Sequence, residues 1–186
     1  MIKIIAEYEV KVLDPKTGEV IRSVKGESKS FTLNFGRLIA ILFQRGDYQV
    51  SVPVVDTSGA SRTFRNNDTT SSPFEVSTST ANRIRLHIGS SNEPFSRGQY
   101  EMLGKIAEFD YSTYNLADDG TKIVVQFSGS WLNTGSLVTV REIGFDVVYN
   151  AAGTVTRFLL TRDVIPDTTV DTNQTIAVGY TITIPY

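Results

Sequence analysis

Cysteine is absent and histidine occurs once. Disulfides, thiolate zinc sites, cysteine nucleophiles and histidine-rich metal centres are therefore excluded. A cysteine-free chain suits either side of a membrane, so the redox compartment stays open. Long apolar runs are also missing. The longest, Leu38 to Phe43, falls far short of a membrane span. Charge of one sign is not in excess: Lys+Arg 18 against Asp+Glu 20 gives a net charge of -2. No global basic field holds nucleic acid, and no direct sequence-specific contact with it is expected. A Gly-rich phosphate loop and a Gly-x-Ser-x-Gly elbow are both absent. No period repeats along the chain, which argues against solenoids and propellers.

What is present is enough for one core. The chain has 186 residues, 40% of them hydrophobic, which suits a single domain spanning 1–186. Charges enter the N-terminus at Lys3 and Glu7, too early for a signal-peptide apolar region. At the other end Ile176, Val178, Tyr180, Ile182 and Ile184 alternate with Thr175, Ala177, Gly179, Thr181 and Thr183. That is the period of a strand with one buried face. Only Pro185 and Tyr186 follow, so no anchor or sorting signal is expected there.

Residues 3–13 and 19–28 read as a hairpin that projects or forms a half-exposed edge. Its turn is Asp14-Pro15-Lys16-Thr17-Gly18. Phe35, Leu38, Ile39, Leu42 and Phe43 fit the spacing of an amphipathic helix over 35–45, with Asn34 as N-cap and Gly46 as stop. Strands are expected at 48–56, 83–89, 104–111, 121–128, 137–149, 154–162 and 174–184. Asp118-Asp119-Gly120 would join the strands at 104–111 and 121–128, and Asn150 to Gly153 would turn the next pair. The segment 57–82 is polar and long for a connection within a domain. These elements predict a mainly β fold: an antiparallel β-sandwich or jelly-roll-like domain with one short amphipathic helix.

Few residues carry chemistry. His87 falls on the polar face of its strand, and a surface histidine is expected rather than a triad member. Asp163, Asp167 and Asp171 do not match the EF-hand calcium spacing. Glu142 and Asp146 lie four apart on one strand, about 13 Å at the usual rise, too far for either glycosidase class. Glu142 reads better as the partner of a buried arginine or of backbone amides. Asn67-Asp68-Thr69 and Asn173-Gln174-Thr175 match the glycosylation sequon, by chance in a chain without an export signal. Phe64, Phe74 and Phe95, interleaved with Arg62, Arg65, Arg83, Arg85 and Arg97, have the composition of a stacking platform or of a polar loop pinned to a core. Trp131, between Gly129 and Gly135, would stack on a sugar if exposed or plug the sandwich if buried. No catalytic, cofactor or metal residues are expected, and the chain is read as a non-enzyme.

Three stretches carry a resemblance. They are Ser30-Phe31-Thr32-Leu33-Asn34-Phe35-Gly36-Arg37-Leu38-Ile39-Ala40; then Asp56 to Arg62 with Ile84 to Ser91 and Tyr100 to Leu103; then Val138-Thr139-Val140-Arg141-Glu142-Ile143-Gly144-Phe145 with Leu159 to Asp163 and Val178 to Ile184. Their order resembles virion structural proteins of bacteriophages and archaeal viruses, departing from the pattern at Phe145, where Leu would stand. The resemblance implies a subunit of the capsid, neck or tail that assembles symmetrically with copies of itself and other virion proteins. It implies synthesis in the host cytoplasm, location in the virion and no cofactor. Phe64, Phe74 and Phe95 are then the expected subunit contacts, through the 57–82 and 90–100 loops. The rival readings are a β-sandwich module that recognises a host-surface glycan or protein through Trp131, and an extracellular filament subunit.

Overall fold

The computed structural model describes residues 4–42, 52–64, 84–151 and 154–186. In chain order the elements are β1 (Ile5–Leu13), β2 (Val20–Ser28), α1 (Leu33–Leu42), β3 (Val52–Val55), β4 (Ser61–Phe64), β5 (Ile84–Gly89) and β6 (Lys105–Asp110). They continue as β7 (Thr113–Asp118), β8 (Lys122–Leu132), β9 (Val138–Ala151), β10 (Thr154–Val170) and β11 (Thr175–Pro185). Two antiparallel sheets pack face to face, as a β-sandwich requires. One has the strand order β2-β1-β11-β8-β7 and the other β10-β9-β5-β6, while β3 and β4 form a separate hairpin.

The alternation read in the last strand places the core. Ile176, Val178 and Tyr180 of β11 are buried, with Val10 and Val12 of β1 and Phe127 of β8. Opposite them lie Leu86 and Ile88 of β5, Ile143 and Phe145 of β9, and Phe158 and Leu160 of β10. Phe145 crosses between the sheets, with ring centroids 4.9 Å from Phe127 and 5.0 Å from Tyr180. Each such side chain contributes about 1.5–3 kcal/mol on burial.

The N-terminal hairpin forms as its turn chemistry dictates. Asp14 Oδ1 accepts the amides of Lys16 and Thr17, and Gly18 takes the left-handed conformation at φ 72°. The hairpin does not project: β1 lies inside its sheet, paired to β11 along its length. Only β2 is an edge, exposing Val20 and Ile21.

The helix starts two residues earlier than expected. Asn34 is not its N-cap; its side-chain amide pairs with both backbone groups of Val55 and ties α1 to β3. Thr32 precedes the helix, its carbonyl accepting the Phe35 amide. The side chains of Leu38, Ile39 and Leu42, and Gly46, lie outside the described residues.

Two further boundaries differ. Asp118-Asp119-Gly120 joins β7 to β8, and the strand at 105–110 belongs to the other sheet. Strand β7 shows no alternation of burial: all six of its residues are exposed. In the expected 57–82 loop, residues 61–64 form β4, paired to β3; positions 65–82 lie outside the described residues. The turn between them is built on Asp56. Its Oδ1 accepts the Ser58 and Ala60 amides and the Ser58 hydroxyl, and Arg62 donates to Oδ2 at 2.7 Å. Burial alone would push the Asp56 carboxyl up, but these bonds together bring it down to about 2.

Candidate functional site

Strand β9 is buried on both faces from Glu142 to Val148. Ile143, Phe145 and Val147 face the sandwich, so by strand alternation Glu142, Gly144 and Asp146 face the opposite way. That back face is covered by the segment 90–104 and by the turn at Asp56. Its charges are therefore internal.

The first cluster centres on Glu142 and Arg162, both fully buried. Arg162 Nε donates to Glu142 Oε2. Its Nη1 donates to the Glu93 carbonyl at 3.0 Å and to Gln99 Oε1 at 3.3 Å. Glu142 Oε1 accepts the Gly104 amide at 2.6 Å. One ion pair thus fastens both ends of the segment 90–104 to the sheet. Two glycines make room for it. A Cβ on Gly89 would sit 2.6 Å from Glu142 Cγ, and one on Gly144 would sit 2.5 Å from the Thr161 carbonyl and 3.0 Å from Met102 Sδ. Glu142 is the structural carboxylate its sequence context suggests.

The second cluster holds the single histidine. His87 is 4% exposed, which corrects the expectation of a surface residue. Its Nε2 lies 2.9 Å from Asp146 Oδ2, but neither ring nitrogen makes an aligned hydrogen bond. The two groups are close without an aligned hydrogen bond. Arg157 donates to the other Asp146 oxygen at 2.9 Å. On β6, burial raises Glu108 but Lys105, Arg85 and His87 together hold it below its ordinary value. A cleft of about 350 Å³ lies over this row, lined by His87, Asp146, Arg157, Glu108, Thr57 and Met102 among others. Among the described residues no hydroxyl is hydrogen-bonded to His87.

The acidic residues after Arg162 do not converge. Asp163 takes the Tyr180 hydroxyl at 3.1 Å, and burial raises its carboxyl despite help from Ser28, Ser30 and Tyr180. Asp167 is gripped by both prongs of Arg141. Asp171 opens the turn before β11. They separate because β10 continues through them to Val170 instead of ending in a loop. Among the described residues, no group of three or more His, Asp or Glu is arranged to hold a metal.

The residues singled out from sequence are dispersed. Phe64 ends β4 and its side chain lies outside the described residues, as does all of Phe74. Phe95 is half-buried in the segment 90–104. Trp131 is not on a loop: it is a residue of β8, opposite Ile176, and packs half-buried against the core.

The feature that sequence reading missed is the open flank of the larger sheet. Strand β7 pairs with β8 alone among the described residues. Leu116 is 59% exposed and Tyr114 38%. Their partners across the ladder are Val125 and Phe127, so they lie on the core-facing side of the sheet. They are uncovered because the facing sheet has one strand fewer and ends at β6. At the opposite end β2 is open too. By contrast, the β10 edge is closed by residues 30–32, through Thr32 N to Leu160 O and Arg162 N to Ser30 O. No helix among the described residues is long and apolar enough to cross a membrane. Comparisons with protein-family models, with curated proteins and with solved structures found no match.

Proposed function

We propose that this chain is a non-enzymatic structural subunit of a virus particle, of its capsid, neck or tail, and acts by symmetric self-assembly. The observation that carries the assembly part is the β2-β1-β11-β8-β7 sheet, open at both ends among the described residues, with Val20, Ile21, Tyr114 and Leu116 exposed there. Unpaired strand edges bearing apolar side chains are templates for pairing with another chain. A rigid sandwich with such edges suits a subunit that repeats by rotation or translation. The interior charges serve the fold itself, since Glu142 and Arg162 spend their bonds on the segment 90–104. The viral setting rests on the three resembling stretches.

Size-exclusion chromatography with light scattering and negative-stain imaging of the purified chain tests this. Uniform rings, tubes or shells are the expected result. A stable monomer would overturn the reading, and turnover of any substrate panel would overturn its non-enzymatic part.

A further inference from the structure

We infer that β7 is the primary contact, and that its occupant is β7 of a second copy, paired antiparallel about a two-fold axis at Leu116. This deepens the assembly reading and rests on it.

The direction of the free backbone groups follows from the hairpin. Asp119 N donates to Lys122 O, and hydrogen-bonded positions alternate along an antiparallel ladder. Thr113, Asn115 and Ala117 therefore bond to β8. Tyr114, Leu116 and Asp118 turn their N–H and C=O groups outward. A two-fold axis at Leu116 sets these three groups against the same three on the partner copy, so every outward donor meets an acceptor.

The side chains match in that register as well. Leu116 meets Leu116 of the other copy on the core-facing side. Tyr114 faces Asp118 of the other copy, a hydroxyl against a carboxylate. The Tyr186 hydroxyl and the Gly120 amide already hold Asp118 below its ordinary value, so it remains a charged acceptor at neutral pH. No like charges lie opposite one another.

Among the described residues the other open edges carry cationic side chains, whereas β7 carries a single charge, Asp118. Strand β2 carries Arg22 and Lys25, and β6 carries Lys105, Glu108 and Asp110. Charged side chains, lysine above all, and proline are what keep edges from pairing. The sequence of β7, Thr-Tyr-Asn-Leu-Ala-Asp, has no lysine, arginine or proline. Joining two such edges would continue one sheet across both copies and cover Leu116 and Tyr114.

The absence of cysteine gives a clean test. Opposed residues in a hydrogen-bonded antiparallel pair have Cα atoms about 5.5 Å apart, within disulfide reach. Leu116→Cys should form a covalent dimer on mild oxidation, and Ile21→Cys on β2 should not. Leu116→Pro removes an outward N–H without touching the β8 ladder. It should keep the parent's far-UV spectrum and a cooperative thermal transition while its mass in solution falls. If Leu116→Cys assembles but does not cross-link, or only Ile21→Cys does, the β7 pairing is wrong and the assembly reading survives. If the parent is itself a monomer, both fall.

Discussion

Replacing Glu142 with alanine leaves a buried guanidinium without its counter-charge. Arg162 and Glu142 are both fully buried, and among the described residues the carboxylate is the one charge bonded to the arginine. Removing one partner of such a pair costs about 3–5 kcal/mol, because the survivor keeps its desolvation penalty and loses its compensation. The Gly104 amide loses its acceptor as well, adding roughly 1 kcal/mol. For a chain of this size each kcal/mol moves the melting temperature by about 2–4 °C, so Glu142→Ala should melt roughly 10–20 °C below the parent. Calorimetry at matched protein concentration measures it, since assembly also shifts the transition. Hydrogen exchange should localise the loss to residues 93–104, which the pair fastens. A double variant, Glu142→Leu with Arg162→Met, should recover most of the difference, because it buries no charge. If Glu142→Ala melts within about 2 °C of the parent, the pair does not hold that segment down.

Two smaller changes probe the same structure. Gly89→Ala would place a methyl group within the Glu142 side chain and should cost about 1–3 kcal/mol by overpacking, read as a lower urea midpoint; an unchanged midpoint would mean Glu142 moves freely. Asp56, held at about 2, contributes stability that is fully present above pH ~4 and lost as pH falls through about 2, because its folded value is depressed. The gap in unfolding free energy from urea titration between parent and Asp56→Asn should be roughly 2 kcal/mol near neutrality and shrink between pH 4 and 2; a constant gap would show that the turn does not depend on the carboxylate's charge.

The fold was legible where one face of a strand is buried and the other is wet. Strand β11 and the Asp14–Gly18 turn carry their structure in local pattern, and the sandwich follows from them. Legibility failed where a second layer covers the polar face. His87 sits on the strand face that reads as solvent-facing, and among the described residues the segment 90–104 and the Asp56 turn make it internal. It failed again at β7, whose pattern is set by exposure. Tyr114 and Leu116 alternate with Thr113 and Asn115, but the run is short and its burial does not alternate, since the sheet opposite stops short of it. Trp131 was misplaced because its flanking glycines suggest a loop, whereas Gly129 is a strand residue packed too closely on the Asp110 carbonyl to carry a Cβ. Glu142 was readable because a carboxylate amid apolar strand residues needs a buried partner. Nothing local pointed to Arg162 as that partner.

The central claim is that this chain acts by assembling with copies of itself, and sedimentation velocity on the purified full chain tests it most directly. The account predicts a discrete multimer whose share grows with protein concentration and whose mass falls in Leu116→Pro. A single monomeric species at every concentration up to the solubility limit would contradict it.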